Sequence, residues 1–249
     1  AVVKAGAFGI VRIVLDVYGL ELSRELALLT PLAIAAAVTI VWGSMRALQQ
    51  DDLKKRLAFS TVSQVSYIAL GIAIFGPLAA LGGLVHLVHQ GLMKITLFFC
   101  AGNLAETLGI HKISEMDGAG RRMPLTMAAF TIAALGMIGA PPVAGFISKW
   151  HIALGAVAGE AHWVIAVLVA STLLNAAYFL PILYRAWFAE PVLPWPHEAA
   201  RKGVLETHWM LMLPPALTAL AALIAGVLAA AAGSPLDWAS LIISSEFGP

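Results

Sequence analysis

Charge is what this chain has least of. Only 12% of its 249 residues are Asp, Glu, Lys or Arg, where a soluble domain carries about 25%. Hydrophobic residues make up 60% and the mean hydropathy is +0.88, so the chain is an integral membrane protein. Its one cysteine, Cys100, lies in an apolar run. It cannot form an internal disulfide and reads as a small core residue. Paired-cysteine zinc spacing, a Walker loop and a GxGxxG after a strand are all missing. His111 and His151 have no ligand partners at suitable spacing. No metal, nucleotide or redox cofactor is therefore expected in this chain, and no catalytic chemistry of its own. A net charge of +1 offers no electrostatic basis for binding nucleic acid. An initiator Met and a basic leader before a cleavage site are also missing. Apolar sequence starts at Ala1, so the chain is expected to begin partway through a larger protein or to have been cut.

What is there is a series of seven hydrophobic segments, at about 1–18, 27–48, 57–75, 78–105, 124–157, 162–189 and 206–232. A bilayer needs about 20 residues per helix, so the fifth segment is too long for one straight helix. Its middle reads Gly139-Ala140-Pro141-Pro142. Pro142 cannot sit inside a helix without losing a hydrogen bond, which predicts a broken helix resuming near Ala144. Broken backbone at membrane depth is tolerated where it is buried in protein or lines a wet cavity, and in transporters such breaks mark ion sites. The fold expected is all-α and polytopic, a single transmembrane domain over 1–249 with about seven spanning helices, one of them broken.

The loops set an orientation. Those after the second, fourth and sixth segments carry Arg46, Lys54, Lys55 and Arg56, then Lys112, Arg121 and Arg122, then Arg201 and Lys202. The opposite loops carry little beyond Arg24. The positive-inside rule places the basic loops in the cytoplasm and the C-terminus outside. Residues 51–56 read as a solvated cytoplasmic turn, EPVLPWP (190–196) as a connector, and Leu236–Ile243 as an amphipathic stretch on the outer surface. Trp150, Trp163, Trp187 and Trp209 fall near segment ends, as an interfacial belt would. Glu106 is expected to be solvated, and Arg12 and Asp16, four apart, to pair.

The fourth segment contains HLVHQGLMKITLFF (86–99). His86, Gln90 and Lys94 follow i, i+4, i+8 spacing and share one helix face, with His89 at its border. The stripe runs for about 12 Å of helix. A charge at the bilayer centre costs about 2.5–3.5 kcal/mol on insertion scales, and such groups usually mark ion or proton paths. Histidine exchanges a proton near neutral pH, and a lysine removed from water can do the same. An interhelical hydrogen-bond cluster without traffic is the alternative. Lys149, about seven residues past the break, falls near mid-depth and is a second candidate; snorkelling to an interface is its alternative. Lys4 is a third candidate, though its depth depends on the helix before it. Ser60, Ser63, Gln64 and Ser66 fit either cross-helix hydrogen bonds or water-holding partners of the stripe. Gly82-Gly83 allows close helix approach.

The stretches Lys4–Arg12 (KAGAFGIVR), DDLKKRLAFSTVSQVSYI (51–68), HLVHQGLMKITLFFCAG (86–102), ISEMDGAGRRMP (113–124) and GAPPVAGFISKW (139–150) follow one another in this order. Together they resemble the antiporter-like subunits of respiratory complex I, energy-converting membrane hydrogenases and multisubunit sodium/proton antiporters. The wording of the last two is most similar to the D-type subunits of the multisubunit antiporters. The resemblance covers nearly the whole chain and implies a fourteen-helix core of two inverted five-helix repeats, each with one broken helix. Residues 1–18 would end the first half, 27–189 would be the second repeat and 206–232 the final helix. It implies a proton relay in which Lys149 is the broken-helix lysine, Lys94 with His86 and His89 the centre, and Lys4 the link between half-channels, with Gly139, Pro141 and Pro142 as the helix break. Some relatives have a second histidine four residues after the first, where this chain has Gln90. The function implied is a proton-translocating subunit of a cation/proton antiporter in a prokaryotic inner membrane, partnered by other membrane subunits and exchanging protons for Na+. A pump subunit of a redox-driven complex is the alternative reading. A third is a structural membrane subunit whose buried lysines are silent.

Overall fold

The computed structural model describes residues 2–191, 194–198 and 205–247. Arg201 and Lys202 lie outside these. The regular elements among the described residues are helices: α1 (Val2–Arg12) runs on as a π-helical stretch (Ile13–Tyr18) into α2 (Gly19–Glu25), then α3 (Leu29–Leu48), α4 (Leu53–Ala73) and α5 (Pro77–Leu108). There follow the short α6 (Ala119–Arg122), then α7 (Pro124–Ile138), α8 (Ala144–Ala158), α9 (Trp163–Phe188), α10 (Trp209–Val227) and α11 (Pro235–Phe247). Helices α3, α5, α9 and α10 are long and apolar enough to cross a membrane.

The seven expected segments correspond to α1 with its π extension, α3, α4, α5, α7 with α8, α9 and α10. The break falls where the Pro-Pro pair requires it. Gly139 closes α7 in a left-handed conformation, the Pro141–Pro142 bond is cis, and α8 starts at Ala144.

The basic loops gather at one end, held by specific bonds. Ile113 N donates to Asp51 O at 2.8 Å and Ser114 Oγ to Asp51 Oδ2 at 2.8 Å, while Arg122 Nε meets Glu198 Oε1 at 2.6 Å. The connector after α9 straps across the same end, where His197 N donates to Leu108 O at 3.2 Å. Arg24 stacks over Phe75 at the opposite end. Arg12 and Asp16 pair as expected, and Glu106 is exposed.

Two expectations need correction. Arg56 is not part of a solvated turn. It is buried, and its guanidinium donates to the carbonyls of Gln50, Leu48 and Tyr178. A guanidinium has five donors in a fixed fork, and here it ties the α3–α4 turn to α9. Trp187 is not a free belt residue. It packs on the core and donates to Thr131 Oγ1 at 3.0 Å, whereas Trp150, Trp163 and Trp209 are exposed.

Small residues let the central helices approach closely, since apolar lipid gives helices no hydrophobic reason to associate and packing must serve instead. Gly82 faces α8, where a Cβ would lie 2.6 Å from Ile152 N. Gly83 faces Gly71 on α4. Gly155 on α8 meets Ala79 of α5 in the same way. The α5–α8 contact therefore runs antiparallel down to Met93, which packs on Gly136 and Gly145 beside the break. Helix α11 packs on this bundle through the buried Ile243, and Phe247 lies against Phe75.

Candidate functional site

The break leaves the C-terminus of α7 half-buried, with Met137 buried and Ile138 and Gly139 partly exposed. The last four carbonyls of a helix have no partner within it. Leu135 O accepts from Gly139 N and Ala140 N at 3.0 and 2.9 Å. Lys149, one turn into α8, takes the next exposed pair: its Nζ donates to Met137 O at 2.8 Å and Ile138 O at 3.0 Å. A cation at the negative end of a helix is also favoured by the peptide dipoles. The Pro-Pro break thus makes a socket for one lysine, buried to 8% exposure.

From that socket a polar file enters the α5 stripe. Lys149 Nζ lies 5.2 Å from the Tyr67 ring of α4, and Tyr67 lies 5.2 Å from the His86 ring. His86 Nδ1 shares a 2.7 Å hydrogen bond with Ser148 Oγ. His89 stands one turn further along α5. Both histidines and Gln90 are fully buried. His86 Nε2, both ring nitrogens of His89, and the side-chain amides of Gln90 and Gln64 have no protein partner at hydrogen-bond distance. Buried polar atoms are rarely left so, and water bridging these groups would supply the partners they lack.

Lys94 sits apart from the histidines. Its Nζ donates to Ser60 Oγ and, at 3.3 Å, to Leu57 O of α4, and it lies 6.0 Å from the Phe179 ring. Lys4 approaches α5 from α1 and donates to Leu87 O at 3.0 Å. Its ammonium occupies the space a Cβ would take at Gly91. Gly91→Ala is therefore expected to displace Lys4 although alanine is the better helix former by about 1 kcal/mol. Losing that charge-assisted hydrogen bond costs about 1.5–3 kcal/mol, so the variant is expected to unfold at a lower temperature than the wild type, which a thermal-unfolding scan in detergent checks.

The four α4 residues separate by role. Ser63 bonds Ser44 Oγ and Ile40 O across to α3, and Ser66 bonds its own helix at Val62 O. Ser60 and Gln64 face the lysine and histidine file. Sequence reasoning missed Tyr67, Ser148 and a polar stripe on α9, where Ser171, Asn175 and Tyr178 recur at i, i+4, i+7, all fully buried. That spacing was the available signal. His151 bonds its own helix at Ile147 O, and Cys100 is buried against Thr126 O. Among the described residues no group of three metal-ligating side chains comes together.

Residues 1–175 match the family model described as NADH:quinone oxidoreductase/Mrp antiporter, transmembrane. The chain belongs to this family. Among curated relatives of the NADH:quinone oxidoreductase/Mrp antiporter family, it is similar to NADH-quinone oxidoreductase subunit N of Desulforudis audaxviator, 44% identical over 169 residues, covering 68% of this chain and 33% of that one. It is also similar to the D-type Na(+)/H(+) antiporter subunit of Bacillus subtilis, 29% identical over 204 residues, covering 81% of this chain and 41% of that one. Among solved structures, a chain of respiratory complex I from Thermus thermophilus with bound NADH superposes with TM-score 0.78 at 25% identity, covering 99% of this chain and 51% of that one. The chain thus spans between a third and about half of the length of these relatives. It is an antiporter-like membrane subunit of the Mrp and complex I family.

Proposed function

We propose that this chain is the second half of a proton-translocating subunit of a multisubunit monovalent cation/proton antiporter, seated in a prokaryotic inner membrane with its C-terminus outside. The observation that carries this reading is the buried file from Lys149 through Tyr67 to His86, with His89, Lys94 and Lys4 around it, starting at the helix break formed by Gly139, Pro141 and Pro142. A proton held at Lys149 passes by water-bridged steps to the histidines and Lys94 and on toward Lys4. A charge change at one site alters the proton affinity of the next, which couples them. Other membrane subunits would be its partners, and Na+ the exchanged ion. The similarity to a Na(+)/H(+) antiporter subunit over 81% of the chain supports this coupling.

The 44% identity to a relative named as an NADH-quinone oxidoreductase subunit favours a second reading, in which a neighbouring redox module drives the same file. Gentle detergent purification of the full-length protein from its native membrane, with mass spectrometry of what accompanies it, separates the two. Small membrane subunits, followed by sodium-dependent collapse of a pH gradient in vesicles, are the expected result. Iron–sulfur or flavin subunits with donor-driven gradient formation would establish the second reading instead.

A further inference from the structure

The polar stripe of α9 plays no part in the relay described above, yet it shares an acceptor with Lys149. Asn175 Nδ2 donates to Met137 O at 3.1 Å, the carbonyl that also accepts from Lys149 at 2.8 Å. The Asn175 amide is oriented by Tyr178, whose hydroxyl donates to Asn175 Oδ1 at 2.5 Å. The backbone of Tyr178 is itself held, since its carbonyl accepts from Arg56 Nη1 at 2.9 Å. So α9 carries a bridge that runs from Arg56 through Tyr178 and Asn175 to the Lys149 socket.

We propose that Asn175 and Tyr178 are positioning residues for Lys149, acting through the shared Met137 carbonyl. This rests on the reading of Lys149 as a proton carrier. An amide is a poor proton conductor, so the bridge moves no proton. It fixes how much of the Met137 carbonyl is available to Lys149 and where the end of α7 stands. Tyr67 from α4 and His86 from α5 are the other titratable groups around Lys149.

The test uses the full-length protein in native-membrane vesicles, with proton flux measured across a pH series and assembly scored by co-purification. Asn175→Leu removes the bridge, and Tyr178→Phe removes only its hydroxyl in case the first variant assembles poorly. Lys149→Ala is the control for the underlying reading. The expected result is an about tenfold loss of flux for Asn175→Leu, a smaller loss for Tyr178→Phe, and a displaced pH profile for both, because the acceptor environment of Lys149 has changed. Loss of flux only in proportion to lost assembly, with the wild-type pH profile, would make the stripe merely structural and overturn the proposal. So would wild-type flux and profile in both variants while Lys149→Ala is inactive. Full flux in Lys149→Ala would instead overturn the relay reading itself, and the bridge with it.

Discussion

A Lys149→Ala variant of the full-length protein is expected to reach the membrane at wild-type yield and to carry no proton flux above background. Both halves of that outcome come from the same site. Lys149 donates to two carbonyls at the end of α7, Met137 O and Ile138 O. Asn175 still donates to Met137 O when the lysine is gone. The stability cost is therefore close to that of one orphaned carbonyl, about 1–3 kcal/mol. On the proposed relay the proton carrier, by contrast, is lost outright. Lys149→Arg sharpens the test. A guanidinium fills the socket and keeps the charge, yet it does not give up its proton in proteins. It should assemble well and still be silent. Flux from a pH-sensitive dye in vesicles, beside co-purification of partner subunits, is the measurement. Wild-type flux in Lys149→Ala would sink the relay.

Gly82→Val is expected to prevent the bundle from forming. A Cβ at position 82 would stand 2.6 Å from Ile152 N and 2.8 Å from Ser148 O. Both are backbone atoms of α8, so the helices themselves must part. Overpacking typically costs about 1–3 kcal/mol and occasionally more, and backbone cannot yield as a side-chain tip can. Ser148 carries the hydroxyl that pairs with His86, so parting α5 from α8 also dismantles the histidine site. Gly102→Ala is the control, because a Cβ there meets nothing within 4 Å. Size-exclusion profiles and protease resistance in detergent should show the first variant aggregated or degraded and the second unchanged. A monodisperse Gly82→Val at wild-type yield would contradict the packing.

Much of the site was legible before any coordinates. A lysine and two histidines inside an apolar helix are conspicuous because the bilayer makes each of them costly. Pro142 marked the break because a proline removes a helix hydrogen bond wherever it falls. The α9 stripe had the same helical spacing but passed unnoticed, because a serine, an asparagine and a tyrosine carry no charge and are common in membrane helices. Arg56 was misplaced because its neighbours Asp51, Asp52, Lys54 and Lys55 are all polar. Only the approach of α9 shows that this one side chain turns inward to Tyr178 O.

The sequence by itself determined that this is an all-helical membrane protein, where its helices begin and break, and which residues pair with a bilayer only at a cost. Those are consequences of composition and of a 3.6-residue period acting within one segment. Which lysine meets which carbonyl was decided only by the tertiary structure. Helical period says which residues share a face, but not which helix that face will turn toward. That was settled where glycines allowed α5 to reach α8 and α4, and where the broken end of α7 came to rest against Lys149.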